Sequence, residues 1–155
     1  MTFGVFVNSV RAARFAAVYA LLRASADVAD HWVQTDHQAA TKGQHDHNEG
    51  QRSAAGRQAC AAHVAAYTAA QAAALIAGSR LLGVRLRPGP VAAALALSAA
   101  THYVADRREP LRRLADATGK GNFVRLADHG MNGAYALDQA WHHAFETCAA
   151  LIASA

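Results

Sequence analysis

From Gln58 to Ser79 the chain runs for 22 residues without a Lys, Arg, Asp or Glu. A second uncharged span, Pro88–Ala105, is 18 residues long, with its prolines at the start, where a helix tolerates them. No other feature narrows the fold so far. A helix needs roughly 20 apolar residues to cross a bilayer core, so the first span is long enough and the second nearly so. Alanine dominates both. It favours helix and lets helices approach closely, but adds little burial energy per residue. Three prolines in 155 residues, with few β-branched runs, argue against sheet.

The flanking segments complete an all-α plan with one domain, residues 1–155. A first long helix is expected from Phe3 to about Val33 and a fourth from Met131 to Ala155. The stretch 37–57 is polar, with Gly43, Gly50 and Gly56, and is expected to be a loop. The stretch 107–130 is polar and basic. It is expected to hold a short amphipathic helix over Pro110–Thr118 that stops at Gly119. Charged residues make up only 17% of the chain, against about 25% in soluble domains. The expected fold is therefore four long helices in an antiparallel, membrane-embedded bundle, with a short extra helix in the third loop.

If all four helices span, one side carries Lys42, Arg52, Arg57, Arg107, Arg108, Arg112, Arg113, Lys120 and Arg125. The turn on the other side carries Arg80, Arg85 and Arg87. The positive-inside rule then places the long loops in the cytoplasm of a multi-pass protein of the cell membrane. The competing plan is a soluble alanine-rich bundle. The net charge of +4 suits an anionic membrane surface or nucleic acid. No small-residue cleavage site follows a short apolar core, so no removable signal peptide is expected. Cys60 and Cys148 lack metal-type spacing and are expected to be buried, inert thiols.

Set into the apolar helices is a recurring polar pattern. His102 and Asp106 are four residues apart, and so are Asp138 and His142, which puts each pair on one helix face. The first helix offers Asp30 and Gln34, and the second His63 and Tyr67. Acids and imidazoles in such surroundings are costly to bury unless they meet each other, a metal or water. Helical bundles build metal sites from carboxylates and imidazoles projecting inward from facing helices. Asp30, His63, His102, Asp106, Asp138 and His142 are thus candidate ligands for a divalent ion such as Zn²⁺, Mn²⁺ or Fe²⁺. Asp30 or Asp138 is the candidate base. Gln34, Tyr67 and Gln139 would stand behind the ligands or position a substrate. The bland counterpart is a set of hydrogen-bonded pairs that only lock helix packing. Arg107 and Arg108 offer Asp106 a competing partner. His45-Asp46-His47 is expected to be solvated loop, His143 points away from His142, and Trp32 and Trp141 are expected to pack or sit at an interface.

The strings ADHWVQTD (Ala29–Asp36), Lys42-Gly43, HVAAYT (His63–Thr68), THYVADRR (Thr101–Arg108) and GAYALDQAWH (Gly133–His142) resemble an uncharacterised family of small actinobacterial proteins. It is a domain of unknown function, predicted to be helical and membrane-embedded. Some of its members are labelled transcriptional regulators. The resemblance covers the chain from about Leu21 onward and implies no established reaction. The family's pattern has a His four residues before the position of Asp30. Here that residue is Ala26, with Asp27 beside it, so one expected ligand is missing.

Three functions from different classes follow. The first is a metal-dependent, hydrolase-like activity on a lipid or membrane-associated substrate. The second is a DNA-binding regulator using a helix-turn-helix-like segment, residues 111–129, in which Ala115 and Gly119 precede a second helix from about Asn122 to His129. Its Asp128 and scarcity of base-reading side chains count against it. The third is a structural membrane protein without catalysis. The bilayer is the expected partner, and a homo-oligomer is compatible with all three.

Overall fold

The computed structural model describes residues 2–127, 130 and 132–155, with side chains from residue 9 onward. Every regular element among them is helical: α1 (Thr2–Val28), α2 (Asp36–Thr41), α3 (Ser53–Leu81), α4 (Pro88–Asp106), α5 (Glu109–Ala117), α6 (Gly121–Val124) and α7 (Gly133–Ala153). The long helices α1, α3, α4 and α7 touch in that cyclic order, each against two neighbours. α1 and α3 run in opposite directions, since Leu21 meets Gly78 while the later Asp30 meets the earlier His63. The short helices α2, α5 and α6 gather at one end of this ring.

Local chemistry explains the element ends. Pro88 and Pro90 open α4, where missing N–H groups are harmless. Thr35 caps α2 by accepting from the Gln38 amide, and Gln38 answers the Thr35 amide. The helix that this capping box opens runs into the segment 37–57 expected to be loop, and the box has the sequence signature Thr35-x-x-Gln38. α1 does not end cleanly. It widens into a π turn, Ala29–Val33, closed by the Gln34 amide on the Ala29 carbonyl. The wider turn keeps Asp30 on the inner side while Trp32 stays 86% exposed. α3 begins five residues before the expected Gln58. Its Gly56 lies so close to the Arg107 guanidinium and the Gln44 carbonyl that no Cβ fits there.

The second helix of the helix-turn-helix-like segment is shorter than expected. α6 is a single turn that ends at Val124, because the following backbone turns back on itself. The Leu126 amide bonds the Phe123 carbonyl, and the Gly133 amide bonds Leu126. Asp128 and His129, at the expected end of that helix, and Met131, the expected start of the fourth long helix, lie outside the described residues.

The interior is apolar at one end and polar along the rest. Val18, Leu22, Leu75, Ala94, Ala149, Ala150 and Ala153 form the apolar part. Next to it are buried His63, Gln71, Ser98, His102, Asp106, His142 and Glu146. The outer face is the reverse. Exposed positions on α3 between His63 and Gly78 are Ala65, Ala69, Ala73, Ile76 and Ala77, and those on α4 between Pro90 and Ala105 are Ala92, Ala93, Ala96, Ala100 and Val104. α3 is the one helix, among the described residues, long and apolar enough to cross a membrane, and only 39% of its most apolar stretch is buried. α4 does not reach that mark, because its Pro, Gly, Ser, Thr and His residues dilute its leucines. Cys60 is buried as expected, but Cys148 is exposed, on the outer side of α7.

Candidate metal centre

Three elements bring four candidate ligand atoms close together. The π turn supplies Asp30 Oδ1, α3 supplies His63 Nε2, and α4 supplies His102 Nε2 and, one turn later, Asp106 Oδ2. His63 Nε2 lies 2.9 Å from His102 Nε2, 3.0 Å from Asp30 Oδ1 and 3.3 Å from Asp106 Oδ2. His102 Nε2 lies 3.3 Å from Asp30 Oδ1 and 3.2 Å from Asp106 Oδ2. Neighbouring ligand atoms around a tetrahedral ion with bonds near 2.0 Å are themselves about 3.3 Å apart. These separations therefore fit the spacing around a small divalent ion.

Hydrogen bonds alone do not satisfy this cluster. A neutral imidazole has one N–H and one lone pair. Two Nε2 atoms in contact need one proton between them, and each then has nothing left for the second carboxylate. Asp106 Oδ2 indeed has no hydrogen-bond partner, although it touches both rings, and neither do His63 Nδ1 and His102 Nδ1. A cation would meet the inward lone pairs of Asp30, His63 and His102 together, and Asp106 lies against the same two rings. Two trios have the reach to hold an ion: Asp30 with His63 and His102, and His102 with Asp106 and His142.

His142 joins from α7, the last of the four long helices. Its Nδ1 donates to the Asp138 carbonyl at 2.7 Å, which fixes the tautomer and leaves Nε2 as a bare acceptor. That Nε2 is buried and has no partner. Its ring stands 4.4 Å from that of His102, edge on. Asp138 itself stands outside both trios. The Asp138 backbone carbonyl has already taken Nδ1 of His142, and its carboxylate, 3.5 Å from that nitrogen, faces a cavity instead.

The cavity has a volume of about 520 Å³ and opens beside the cluster. Asp30, Asp106 and Asp138 lie on its wall with Lys42, Arg108, Arg112 and Tyr135, and Gln34 and Gln139 line it as well. Gln34 Nε2 is buried without a partner. Asp106 is paired with Lys42, 2.8 Å away, and not with the arginines that follow it in sequence. Both arginines donate to backbone carbonyls of an earlier segment. Arg107 donates to the Lys42 and Gln44 carbonyls at 2.5 and 2.6 Å, and Arg108 to the Ala39 carbonyl at 3.1 Å. Arg107 thereby fixes the backbone that carries Lys42.

A second polar group lies behind the cluster, and sequence spacing gave little sign of it. Tyr67 stacks on His102, with ring centroids 3.8 Å apart, and donates to Glu146 Oε1 at 2.9 Å. Arg23 donates to the other Glu146 oxygen at 2.5 Å and also pairs with Asp27. Gln71 donates to Tyr67, and Ser98 to Gln71. The chain of contacts crosses all four long helices and holds the His102 ring at its back. Ala26, where the resembled family has a His, is buried against Tyr67. Of the remaining expectations, His143 is exposed, and Trp141 packs on Phe145 and donates to the Thr101 carbonyl at 3.0 Å. His45 is anchored on the Arg107 carbonyl at 2.9 Å and stacks on His47, so it is not free loop. No protein-family model, curated protein or solved structure matches the chain.

Proposed function

We propose that this chain is a metal-dependent, hydrolase-like membrane protein whose ion is held by Asp30, His63, His102 and Asp106, with His142 as a further ligand. The observation that carries the reading is the set of close separations among four ligand atoms that hydrogen bonds cannot satisfy together. Asp and His suit Zn²⁺, Mn²⁺ or Fe²⁺. A bound ion of this kind supplies Lewis acidity and makes water acidic enough to attack at neutral pH.

The protein's own residues do the rest. Lys42 neutralises one carboxylate of the ligand set and tethers it. Tyr67, held by Glu146, keeps the His102 ring in place, and the Asp138 carbonyl keeps Nε2 of His142 free. The Asp138 carboxylate faces the cavity next to the ligands, at the place where a base is needed. In ester hydrolysis, the water oxygen bonds to the electrophilic centre as the leaving oxygen departs. The water proton passes to Asp138 and then to the leaving oxygen.

The distribution of polarity supports a bilayer setting. Interior ionisable groups beneath the uncharged alanine faces of α3 and α4 are the arrangement expected of intramembrane helices. Apolar burial does not drive helices together in lipid, so close packing of small side chains and interhelical hydrogen bonds must hold them. The alanines and the Arg23–Glu146–Tyr67–Gln71–Ser98 chain supply both. The cavity then lies at the end of the helices where the long basic loops gather.

Asp138→Asn tests the assignment of roles. The variant is expected to keep its metal and to lose metal-dependent hydrolysis of a panel of carboxylic and phosphoric esters by about 10²-fold or more. Loss of the metal along with turnover would place Asp138 among the ligands. Turnover unchanged from the parent would remove it as the base.

A further inference from the structure

We propose that the cavity beside the metal centre binds a phosphate monoester, and that Arg108 and Arg112 hold its phosphoryl oxygens. The proposal rests on the metal reading above and names the ligand class of the same site.

The first argument is charge. The described cavity wall carries three cations, Lys42, Arg108 and Arg112, and three carboxylates, Asp30, Asp106 and Asp138. With neutral histidines the site has no net charge. A divalent ion raises it to +2, and the carboxylates among the described residues of the wall are then turned to the ion, to Lys42 or to the reacting water. The loaded cavity therefore calls for a dianion. A carboxylate would supply one charge, whereas a phosphate monoester supplies close to two near neutral pH. Guanidinium groups match its oxygens in bidentate geometry. Arg108, just before α5, and Arg112, in its first turn, both line the cavity.

The second argument is backbone strain. Arg108 has φ 59° and ψ −47°, and it is the only non-glycine residue with positive φ among the described residues. Glycine would adopt this conformation freely. A side chain kept there despite a strain of about 1–3 kcal/mol is held for what it does. The Arg108 side chain lies across Gly43, whose missing Cβ leaves the space. A Cβ there would come within 2.5 Å of Arg108 Cδ. Its Nη2 donates to the Ala39 carbonyl, and the side chain lines the cavity. Strained residues of this kind gather at ligand clamps.

The test uses the linkage between two ligands of one site. Mn²⁺ affinity of the whole chain in detergent micelles is measured by titration calorimetry with and without glycerol phosphate, in the parent and in Arg108→Gly. In the parent, the ester is expected to tighten Mn²⁺ by about 10-fold, and Mn²⁺ to tighten the ester equally. Arg108→Gly relieves the backbone, so it is expected to fold as well as the parent and to bind Mn²⁺ alone unchanged. It is expected to lose most of the coupling. Nanodiscs with and without phosphatidic acid form a second arm. Coupling by glycerol phosphate assigns a soluble ester, and coupling only by phosphatidic acid assigns a lipid headgroup. Either supports the phosphate class. Mn²⁺ binding that neither ester changes overturns this proposal and leaves the metal centre standing, as does full coupling in Arg108→Gly. No Mn²⁺ binding at all overturns both.

Discussion

Asp30→Asn is the substitution whose effect follows most directly from the geometry. It keeps the shape and removes one negative charge from a ligand atom 3.0 Å from His63 and 3.3 Å from His102. Structural zinc sites bind with about 10–16 kcal/mol, which divided among four ligands is roughly 2.5–4 kcal/mol each. Losing one should weaken the metal by roughly 10²–10³-fold. At a metal concentration 100 times the parent's Kd, binding stabilises the parent by about 2.7 kcal/mol. A variant weakened 100-fold gains only about 0.4 kcal/mol at the same concentration. For a chain of this length the parent's Tm should rise by about 5–11 °C on metal addition, and the variant's by about 1–2 °C. Without metal, the variant is expected to be about as stable as the parent, since the amide keeps the shape and an acceptor oxygen for His63. Thermal unfolding in detergent, with EDTA and then with Zn²⁺ or Mn²⁺, reads both quantities. A variant that keeps the parent's full metal-induced shift would refute the reasoning. So would a variant strongly destabilised in EDTA, because Asp30 would then be acting as a hydrogen-bonded structural partner.

Further outcomes follow from the rest of the interior. Glu146→Ala strands the Arg23 guanidinium and the Tyr67 hydroxyl and should cost about 3–5 kcal/mol, whereas the double change Arg23→Met, Glu146→Leu should cost much less. Denaturant unfolding of both variants checks this, and a double change as harmful as the single one would contradict it. Metal affinity should fall as pH drops, because the imidazoles must be neutral to act as ligands and protons compete for them. Calorimetric titrations between pH 8 and pH 5 would show it. Outside the helices, Asp116 makes a two-point contact with Arg125, which holds its carboxyl below the ordinary range. Its small contribution is present above the ordinary carboxylate pKa and is lost as pH falls through the lowered value. Asp116→Asn should accordingly flatten the acid edge of the stability curve and leave neutral stability nearly unchanged.

The helical class and the four long segments were legible because alanine-rich spans without charge have one economical backbone solution. The inward cluster was legible as well, since the i, i+4 spacing of His102 with Asp106 and of Asp138 with His142 is a helix property that needs no tertiary knowledge. What the spacing could not decide was which atom of each pair goes to the centre. His102 and Asp106 both do, whereas in the second pair the helix's own carbonyl takes Nδ1 and turns Asp138 outward. The π turn at Ala29–Val33 was invisible because one extra backbone residue per turn leaves no composition signal. Glu146 was overlooked for a similar reason. It stands alone in an apolar helix, and its partners, Arg23 and Tyr67, come from two other helices 123 and 79 residues away. Arg23 sits in the middle of the first apolar helix, where a charge calls for a buried acid elsewhere. Lys42 as the partner of Asp106 depends on loop packing around Arg107, which no periodicity reports.

The central claim is that the four converging ligand atoms hold a metal ion. The most direct test is elemental analysis of the protein purified from membranes without chelators, beside a folded His63→Ala, His102→Ala double variant. The account predicts stoichiometric Zn, Mn or Fe in the parent and none in the variant. A metal-free parent that is folded and does not take up any of these ions on dialysis would contradict it.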